Sequence, residues 1–457
     1  MKHYDVVVLG AGPGGYTLAG ILSSNGLKVA LVEKEDLGGT CVNKGCISTK
    51  TLIKSAKVLD TIQHSEKYGV FNKYLGYSFQ VMQNRRKANK ELLNGAISNF
   101  LAGAHVDVFK GMGTVVDEHS LTVNEETLHF DKLVVATGSS NRALSIEGAK
   151  EAYESGYLID SEQAMKLDAA PKTLVIIGAG PIALEFAYFY STLGTKVTIL
   201  CNTKFLAHLD PHAAKAVRAT LEAKGVVIVD EMNLESVSNG FVSYQWKEQK
   251  HSLASQKALV AIGRVANLSG LDALKLKLNA RGFVEVNESM KTSLDHVYAL
   301  GDATGLFMLS TVAYKTADVI AKDILGLQPE KLNLNNVPWA IYLNPELAGV
   351  GKTATQLEKE GVEFNEVMVP GMALPRMHAD GLANELAFVK FFVSKSTGEI
   401  LGSFMFLEGG HILINQVAFA MQQKVTFKQL QESIYTHPTI AEALYYSSRT
   451  VALKKNA

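Results

Sequence analysis

The sequence predicts an α/β chain with two Rossmann-like dinucleotide-binding folds in tandem, followed by an α+β C-terminal module. Three observations predict it. A strand, glycine loop, helix and strand occupy residues 4–33, and the same order recurs over residues 173–201. From about Val337 the glycine loops stop, and strand-like runs alternate with a helix. At 457 residues the chain is too long for one hydrophobic core.

Residues 4–9 read as a buried strand, followed by Gly10-Ala11-Gly12-Pro13-Gly14-Gly15, a helix to about Asn25, and a strand over 28–32 that ends at Glu33. Gly10 allows the tight turn, Gly12 lets the backbone approach a pyrophosphate, and Gly15 lets helix and strand pack closely. Glu33 stands where a carboxylate accepts a ribose hydroxyl. The stretch 38–50 (GGTCVNKGCISTK) then places Cys41 and Cys46 four residues apart, two of the chain's three cysteines. Such a pair is a redox dithiol, a pair of metal ligands or two buried thiols. Zinc is the weakest choice, because His64 is the only further ligand type nearby. Within a regular helix residues five apart are separated by about 7.5 Å along the axis, too far for a bridge, so pairing needs a distorted turn at Gly45.

Residues 54–101 read as a long helical pattern with few breakers, and short strands lead to 133–138 (LVVATG). In the second fold the strand 173–177 precedes Gly178-Ala179-Gly180-Pro181-Ile182-Ala183, a helix to about Leu193 and a strand over 196–200. The position matching Glu33 is Cys201, followed by Asn202, Thr203 and Lys204. Loss of the ribose carboxylate keeps NADP open beside NAD. Gly263-Arg264 and Gly301-Asp302 each close an apolar strand, where open α/β sheets bind ligands. Near the end, Pro438 suits the first turn of a helix, with His437 extended before it and Glu442 near enough to orient the imidazole.

Lysine plus arginine and aspartate plus glutamate both total 45, so no net field points to nucleic acid or an anionic membrane. The apolar stretch 173–194 is broken by Gly178, Gly180 and Pro181 and carries Glu185, which excludes a membrane span. The first residues enter a strand pattern without signal-peptide regions, and a cytoplasmic protein is expected.

Taken together, the Gly-Gly-Thr-Cys and second-cysteine spacing, the two glycine folds, 261–264 (AIGR), 298–302 (YALGD) and 437–442 (HPTIAE) resemble the flavin-dependent pyridine nucleotide-disulfide oxidoreductases, above all their dihydrolipoamide-oxidising branch. The resemblance runs through nearly the whole chain. It implies an FAD-binding domain at 1–145, an NAD(P)-binding domain at 146–265, a central segment at 266–333 that completes the FAD domain, and a dimerisation domain at 334–457. FAD would use Gly10, Gly12, Gly15, Glu33, Thr40, Gly138 and Asp302; NAD(P) would use Gly178, Gly180, Gly263 and Arg264. Cys46 would face the flavin and Cys41 would exchange with the substrate disulfide. His437, held by Glu442, would come from the other subunit of a homodimer, and Lys50 with Glu185 would form an ion pair near the reactive flavin nitrogen. No metal is implied. The implied activity is oxidation of a dihydrolipoyl group by NAD, on a lipoyl-bearing protein of a 2-oxo acid dehydrogenase or glycine cleavage system. NADPH-driven reduction of a small disulfide such as glutathione is the alternative. Two departures from the family pattern are Ser48, where many members carry proline, and His411, near a position that is often acidic.

Overall fold

The computed structural model describes residues 2–452. The first fold contains β1 (Lys2–Leu9), α1 (Pro13–Ser24), β2 (Val29–Glu33), α2 (Gly39–Lys44), α3 (Cys46–Gln63), α4 (Phe79–Gly103), β3 (Asp107–Lys110), β4 (Gly113–Asp117), β5 (Ser120–Val123) and β6 (Glu126–Val135). Strands β3, β2, β1 and β6 are parallel, and β5 and β4 continue the sheet as antiparallel strands. Val6 and Val8 of β1 pack on α1, while Tyr4, Val7 and Leu9 face the opposite layer, so the strand is apolar on both sides as a central parallel strand must be.

The second fold follows β7 (Ser139–Asn141), α5 (Ala149–Glu154), β8 (Leu158–Ile159) and α6 (Ser161–Met165). It comprises β9 (Thr173–Ile177), α7 (Pro181–Thr192), β10 (Lys196–Leu200), α8 (Pro211–Ala223), β11 (Val227–Val229), an antiparallel sheet of β12 (Asn233–Ser238), β13 (Phe241–Trp246) and β14 (Gln249–Ala254), and then β15 (Lys257–Val260). Its parallel sheet has the order β11-β10-β9-β15-β8. The chain then returns to the first fold. β16 (Arg264–Ala266) pairs with β7, and β17 (Val297–Ala299) joins the first sheet beside β6 before α9 (Ser310–Ile324) packs against α1.

The C-terminal module is an antiparallel sheet, β18 (Trp339–Ile341), β19 (Leu347–Gly351), β22 (Ile400–Phe406), β21 (Phe388–Ser394) and β20 (Phe364–Pro370) in spatial order. Its helices are α10 (Ala354–Lys359), α11 (Pro375–Ala379), α12 (Gly410–Gln422), α13 (Phe427–Glu432) and α14 (Glu442–Ala452). The architecture is the predicted one, two parallel-sheet folds and an α+β module. Residues 453–457 of the expected last segment lie outside the described residues.

Two local expectations are corrected. The helical pattern expected over 54–101 is interrupted between Gln63 and Phe79. Gly69 and Gly76 take φ of +74° and +100°, and Asn72 Nδ2 donates to the Ile62 carbonyl at 2.9 Å, so turn chemistry overrides the apolar periodicity there. Pro438 does not open the last helix, which begins at Glu442. Thr439 Oγ1 closes a turn on the Thr436 carbonyl, and Glu442 accepts the Thr439 N–H, which sets the helix start four residues later than expected.

Helix α3 is the bridge between the folds. Leu52, Ile53 and Ala56 on its inner face are buried in the same cluster as Leu184, Phe186 and Tyr188 of α7 and Ile341 and Phe404 of the C-terminal sheet. Burial of each large apolar side chain contributes about 1.5–3 kcal/mol. The same packing holds one end of α3, and the residues on it, at a fixed place between all three layers.

Candidate active site

The glycine loop and the cysteine stretch form one structure. Gly10 has φ +112°, and a Cβ there would lie 2.3 Å from the Ala136 carbonyl oxygen; at Gly15 a Cβ would lie 1.9 Å from the Gly10 carbonyl oxygen. Only glycine fits either place. Nothing lies within 4 Å of a Cβ built at Gly12, which leaves that backbone open to a pyrophosphate at the N-terminus of α1. Against this loop the Gly38 N–H donates to the Ala11 carbonyl at 2.8 Å, and Gly39 is so close to Gly12 that a Cβ would come within 2.6 Å of its Cα. Asn43 Nδ2 donates to the carbonyls of Asp36, Leu37 and Gly39, clamping the turn from inside.

Gly45 separates α2 from α3, with Cys41 on one helix and Cys46 opening the other. A Cβ at Gly45 would sit 2.7 Å from the Thr40 carbonyl oxygen, so glycine allows the two helices to fold back closely. Both cysteines are free thiols. They differ in acidity. The hydrogen bond from Cys41 lowers Cys46 to about 6, against the opposing effect of burial, with help from the Lys50 charge and from Ser310. The same hydrogen bond raises Cys41, and burial adds to it. Ser310 Oγ, at the start of α9, lies 3.7 Å from Cys46 Sγ.

One turn along α3, Lys50 Nζ lies 2.9 and 2.8 Å from the two oxygens of Glu185 on α7. The Glu185 side chain is only 6 % exposed, and its Oε1 also accepts the Tyr342 N–H at 3.1 Å. Lys50 Nζ stands 4.8 Å from the Tyr342 ring centroid, a cation–π contact. Burial acts to lower the Lys50 pKa, but Glu185 outweighs it and the ammonium is held.

The predicted nucleotide residues are placed as follows. Glu33 accepts the N–H of Ala11 at 2.7 Å and of Glu35 at 2.8 Å, which fixes its carboxylate at the tip of β2. Asp302 accepts from Ser139 Oγ at 2.6 Å, and Gly138 beside it turns with φ +69° and open space around it. This cradle fits a dinucleotide. In the second copy Gly178 repeats the φ of +110° and the 2.3 Å approach to a carbonyl, from Ala261, and Gly180 is open. Gly263 also turns with φ +110°, but the Arg264 guanidinium is engaged by Ser139 Oγ, the Ser139 carbonyl and Asn141 Oδ1 at 2.6, 2.6 and 2.7 Å. Arg264 thus ties the return strand to β7. Cys201 is 4 % exposed, and burial, then Asp230, pushes its thiol up to about 11. It is an inert core thiol.

His437 lies elsewhere in the chain, in the C-terminal module, with a side chain 65 % exposed. Its Nδ1 is 2.9 Å from Glu442 Oε1, while Glu442 Oε2 accepts the Thr439 N–H at 2.9 Å. No hydrogen bond or ion pair joins it to either cysteine within the chain, among the described residues. His411, the expected departure near an acidic position, lies 3.4 Å from Glu346 and against the Tyr342 ring, and Ser48 is buried with its hydroxyl donating to the carbonyls of Val42 and Asn43. Among the described residues, no group of three or more His, Cys, Asp or Glu side chains could hold a metal ion, and no helix is long and apolar enough to cross a membrane.

Comparison with known proteins agrees with this arrangement. The model of the pyridine nucleotide-disulphide oxidoreductases matches residues 4–317, and that of their dimerisation domain matches residues 337–447. The chain belongs to that family. It is a flavoprotein-type oxidoreductase. Among its relatives, the dihydrolipoyl dehydrogenase of Mycoplasma pneumoniae is 34 % identical over 446 residues, 97 % of each chain, and that of Mycoplasma genitalium is 33 % identical over 442 residues, 96 % of each. A solved structure, the HOCl-induced flavoprotein disulfide reductase RclA from Escherichia coli in its Cu(II) complex, superposes with a TM-score of 0.88 at 28 % identity and covers 99 % of this chain and 100 % of the other.

Sequence reasoning missed Ser310, Tyr342 and Ser139. Ser310 is 264 positions from Cys46, and Tyr342 acts partly through its backbone, so neither carries a local signal. Ser139 directly follows the predicted Gly138, and a hydroxyl next to a strand-end glycine was a readable cue.

Proposed function

We propose that the protein is a dihydrolipoyl dehydrogenase: it oxidises a dihydrolipoyl group to the lipoyl disulfide and reduces NAD+ to NADH. The observation that carries the proposal is the unequal thiol pair, Cys46 poised as a thiolate and Cys41 as a thiol, on a helix fixed against a dinucleotide loop. FAD fits the cradle of Gly10, Gly12, Gly15, Glu33, Thr40, Gly138 and Asp302, and when bound it supplies the two-electron relay between the dithiol and the nicotinamide. NAD fits the second loop at Gly178 and Gly180 and the turn at Gly263 and Arg264.

The chain's own residues divide the remaining work. Glu442 accepts a hydrogen bond from the Nδ1–H of His437, which leaves Nε2 to take a proton from a substrate thiol. The substrate thiolate attacks Cys41 of the oxidised pair, and Cys46 leaves as the thiolate that its surroundings favour. The second substrate thiol then attacks the mixed disulfide and releases Cys41, closing the lipoyl ring and leaving the reduced pair. Lys50, held by Glu185, places a positive charge beside this exchange and lowers Cys46. Among the described residues, no hydrogen bond or ion pair joins His437 to the thiols of its own chain, which supports its delivery from a second copy through the dimerisation module. The expected partner is the lipoyl-bearing protein of a 2-oxo acid dehydrogenase or glycine cleavage system, and the expected compartment is the cytoplasm.

A second reading, NADPH-dependent reduction of a small disulfide, is favoured by one observation: the acid that holds a ribose hydroxyl is replaced by the buried Cys201. A Cys46→Ser protein decides the dithiol mechanism. Lipoamide turnover is expected to vanish, and unchanged turnover would falsify it.

A further inference from the structure

A cavity of about 680 Å³ opens between α4, the segment that ends α6, and the loop after β2. That volume suits a small molecule. None of Gly10, Gly12, Gly15, Glu33, Thr40, Gly138 or Asp302 lines it, although Glu35, whose N–H donates to Glu33, does, so it borders the dinucleotide cradle at Glu33 without including its residues. Arg86 of α4 contributes to its wall although only 4 % exposed. An arginine side chain this buried is ordinarily paired, because desolvating an isolated charge is costly. Arg86 is not. Its Nε donates to Gln83 Oε1 at 2.8 Å, and Gln83 is itself held by donating to the Met165 carbonyl at 2.7 Å. Among the described residues, neither terminal nitrogen of Arg86 has a hydrogen bond or ion pair. Burial lowers its pKa with no carboxylate acting to restore it.

The surrounding charges leave the same gap. Seven lysine or arginine side chains and five carboxylates line the cavity, and three of those carboxylates are already neutralised. Lys90 pairs with Asp36 at 2.7 Å, Lys44 with Glu35 at 2.6 Å, and Lys166 with Glu162 at 2.5 Å. Among the described residues, Lys34, Lys87 and Lys110 have no ion pair and neither do the carboxylates of Glu91 and Asp168, so with Arg86 four unpaired cations face two unpaired anions.

We propose that this cavity binds a multiply charged, phosphate-bearing small molecule, with the fixed Arg86 fork as its anchor and Lys87 and Lys110 as rim contacts. A planar fork held by Gln83 matches two phosphate oxygens, which a point charge does not. The proposal is independent of the redox assignment. It has a structural link to it, because Asn43 and Lys44, on the helix that carries Cys41, form part of the wall.

Titration calorimetry of the FAD-loaded protein with inorganic pyrophosphate tests the proposal, at constant ionic strength and with saturating NAD+ present to fill the nicotinamide fold. The wild-type protein should bind one pyrophosphate per chain saturably. Arg86→Gln should weaken it at least about tenfold, the loss of a charge-assisted contact. The Lys87→Gln, Lys110→Gln double variant changes only exposed side chains; it should keep its FAD content and lipoamide turnover while binding about threefold more weakly. Absence of saturable binding by the wild type, or wild-type affinity in Arg86→Gln, overturns the site. Should Arg86→Gln not fold, wild-type affinity in the double variant overturns it instead.

Discussion

Cys46 owes its acidity first to the hydrogen bond from Cys41, so Cys41→Ala should raise its titration midpoint. A midpoint of about 6 keeps Cys46 mostly as thiolate at neutral pH, whereas an unperturbed thiol is only a few per cent ionised. A hydrogen bond to a charged acceptor is worth about 1.5–3 kcal/mol, which is about one to two pKa units. Removing it should cut the thiolate-to-thiol ratio about tenfold to a hundredfold at a given pH, with the Lys50 charge and Ser310 still holding the midpoint below that of an ordinary thiol. The shift has a definite sign: a lowered thiol pKa favours the thiolate above that pKa, so the variant loses thiolate mainly between pH 6 and 8. Thiolate absorbance and the rate of alkylation at Cys46, each followed against pH, read the midpoint directly. A Cys41→Ala midpoint still near 6 would refute the assignment of the hydrogen bond as the leading cause.

Lys50→Met leaves the Glu185 carboxylate buried without its cation, and a loss of about 3 kcal/mol or more is expected in denaturant unfolding, together with a raised Cys46 midpoint. Glu442→Gln keeps an oxygen acceptor for His437 but removes the negative charge that favours its protonated form, and dihydrolipoamide turnover should fall about tenfold to a hundredfold while reduction of an artificial dye by NADH persists; equal loss of both would make the pair structural. The Glu442 carboxyl is held below its usual range by His437 and by the Thr439 N–H, in opposition to burial, so the pair's contribution is present above the ordinary carboxylate pKa and disappears as pH falls through the depressed one. Gly15→Ala forces a Cβ against the Gly10 carbonyl, and the purified protein should retain less FAD and unfold at lower temperature than wild type.

The nucleotide folds were legible because their signals are local. Gly10, Gly15 and Gly178 must be glycine wherever this turn forms, and the residues leading into each loop, 6–9 and 174–177, are a continuous buried apolar run. The cysteine spacing was legible too, with Gly45 supplying the break that separates the thiols' helices. What the sequence hid was set by distance or by competing local chemistry. Ser310 reaches Cys46 only after the chain has left the first fold and returned, and Tyr342 meets Lys50 from the C-terminal sheet. The interruption after Gln63 was hidden for the opposite reason: helical periodicity masks Gly69, Asn72 and Gly76, whose turn bonds decide the backbone. Arg264 shows a third case. Its strand-end position suggested a ligand contact, and the sequence did not show that its guanidinium also bonds Ser139 and Asn141.

The most direct test of the proposed activity compares initial rates on the purified, FAD-loaded protein: NAD+ and NADP+ reduction by dihydrolipoamide, beside NADPH oxidation by oxidised glutathione. Rapid NAD+ reduction with little glutathione activity is the predicted result, and it would also show that Cys201 in place of the ribose acid does not exclude NAD. Negligible lipoamide turnover with brisk NADPH oxidation would contradict it and make the same thiol pair a disulfide reductase working in the opposite direction.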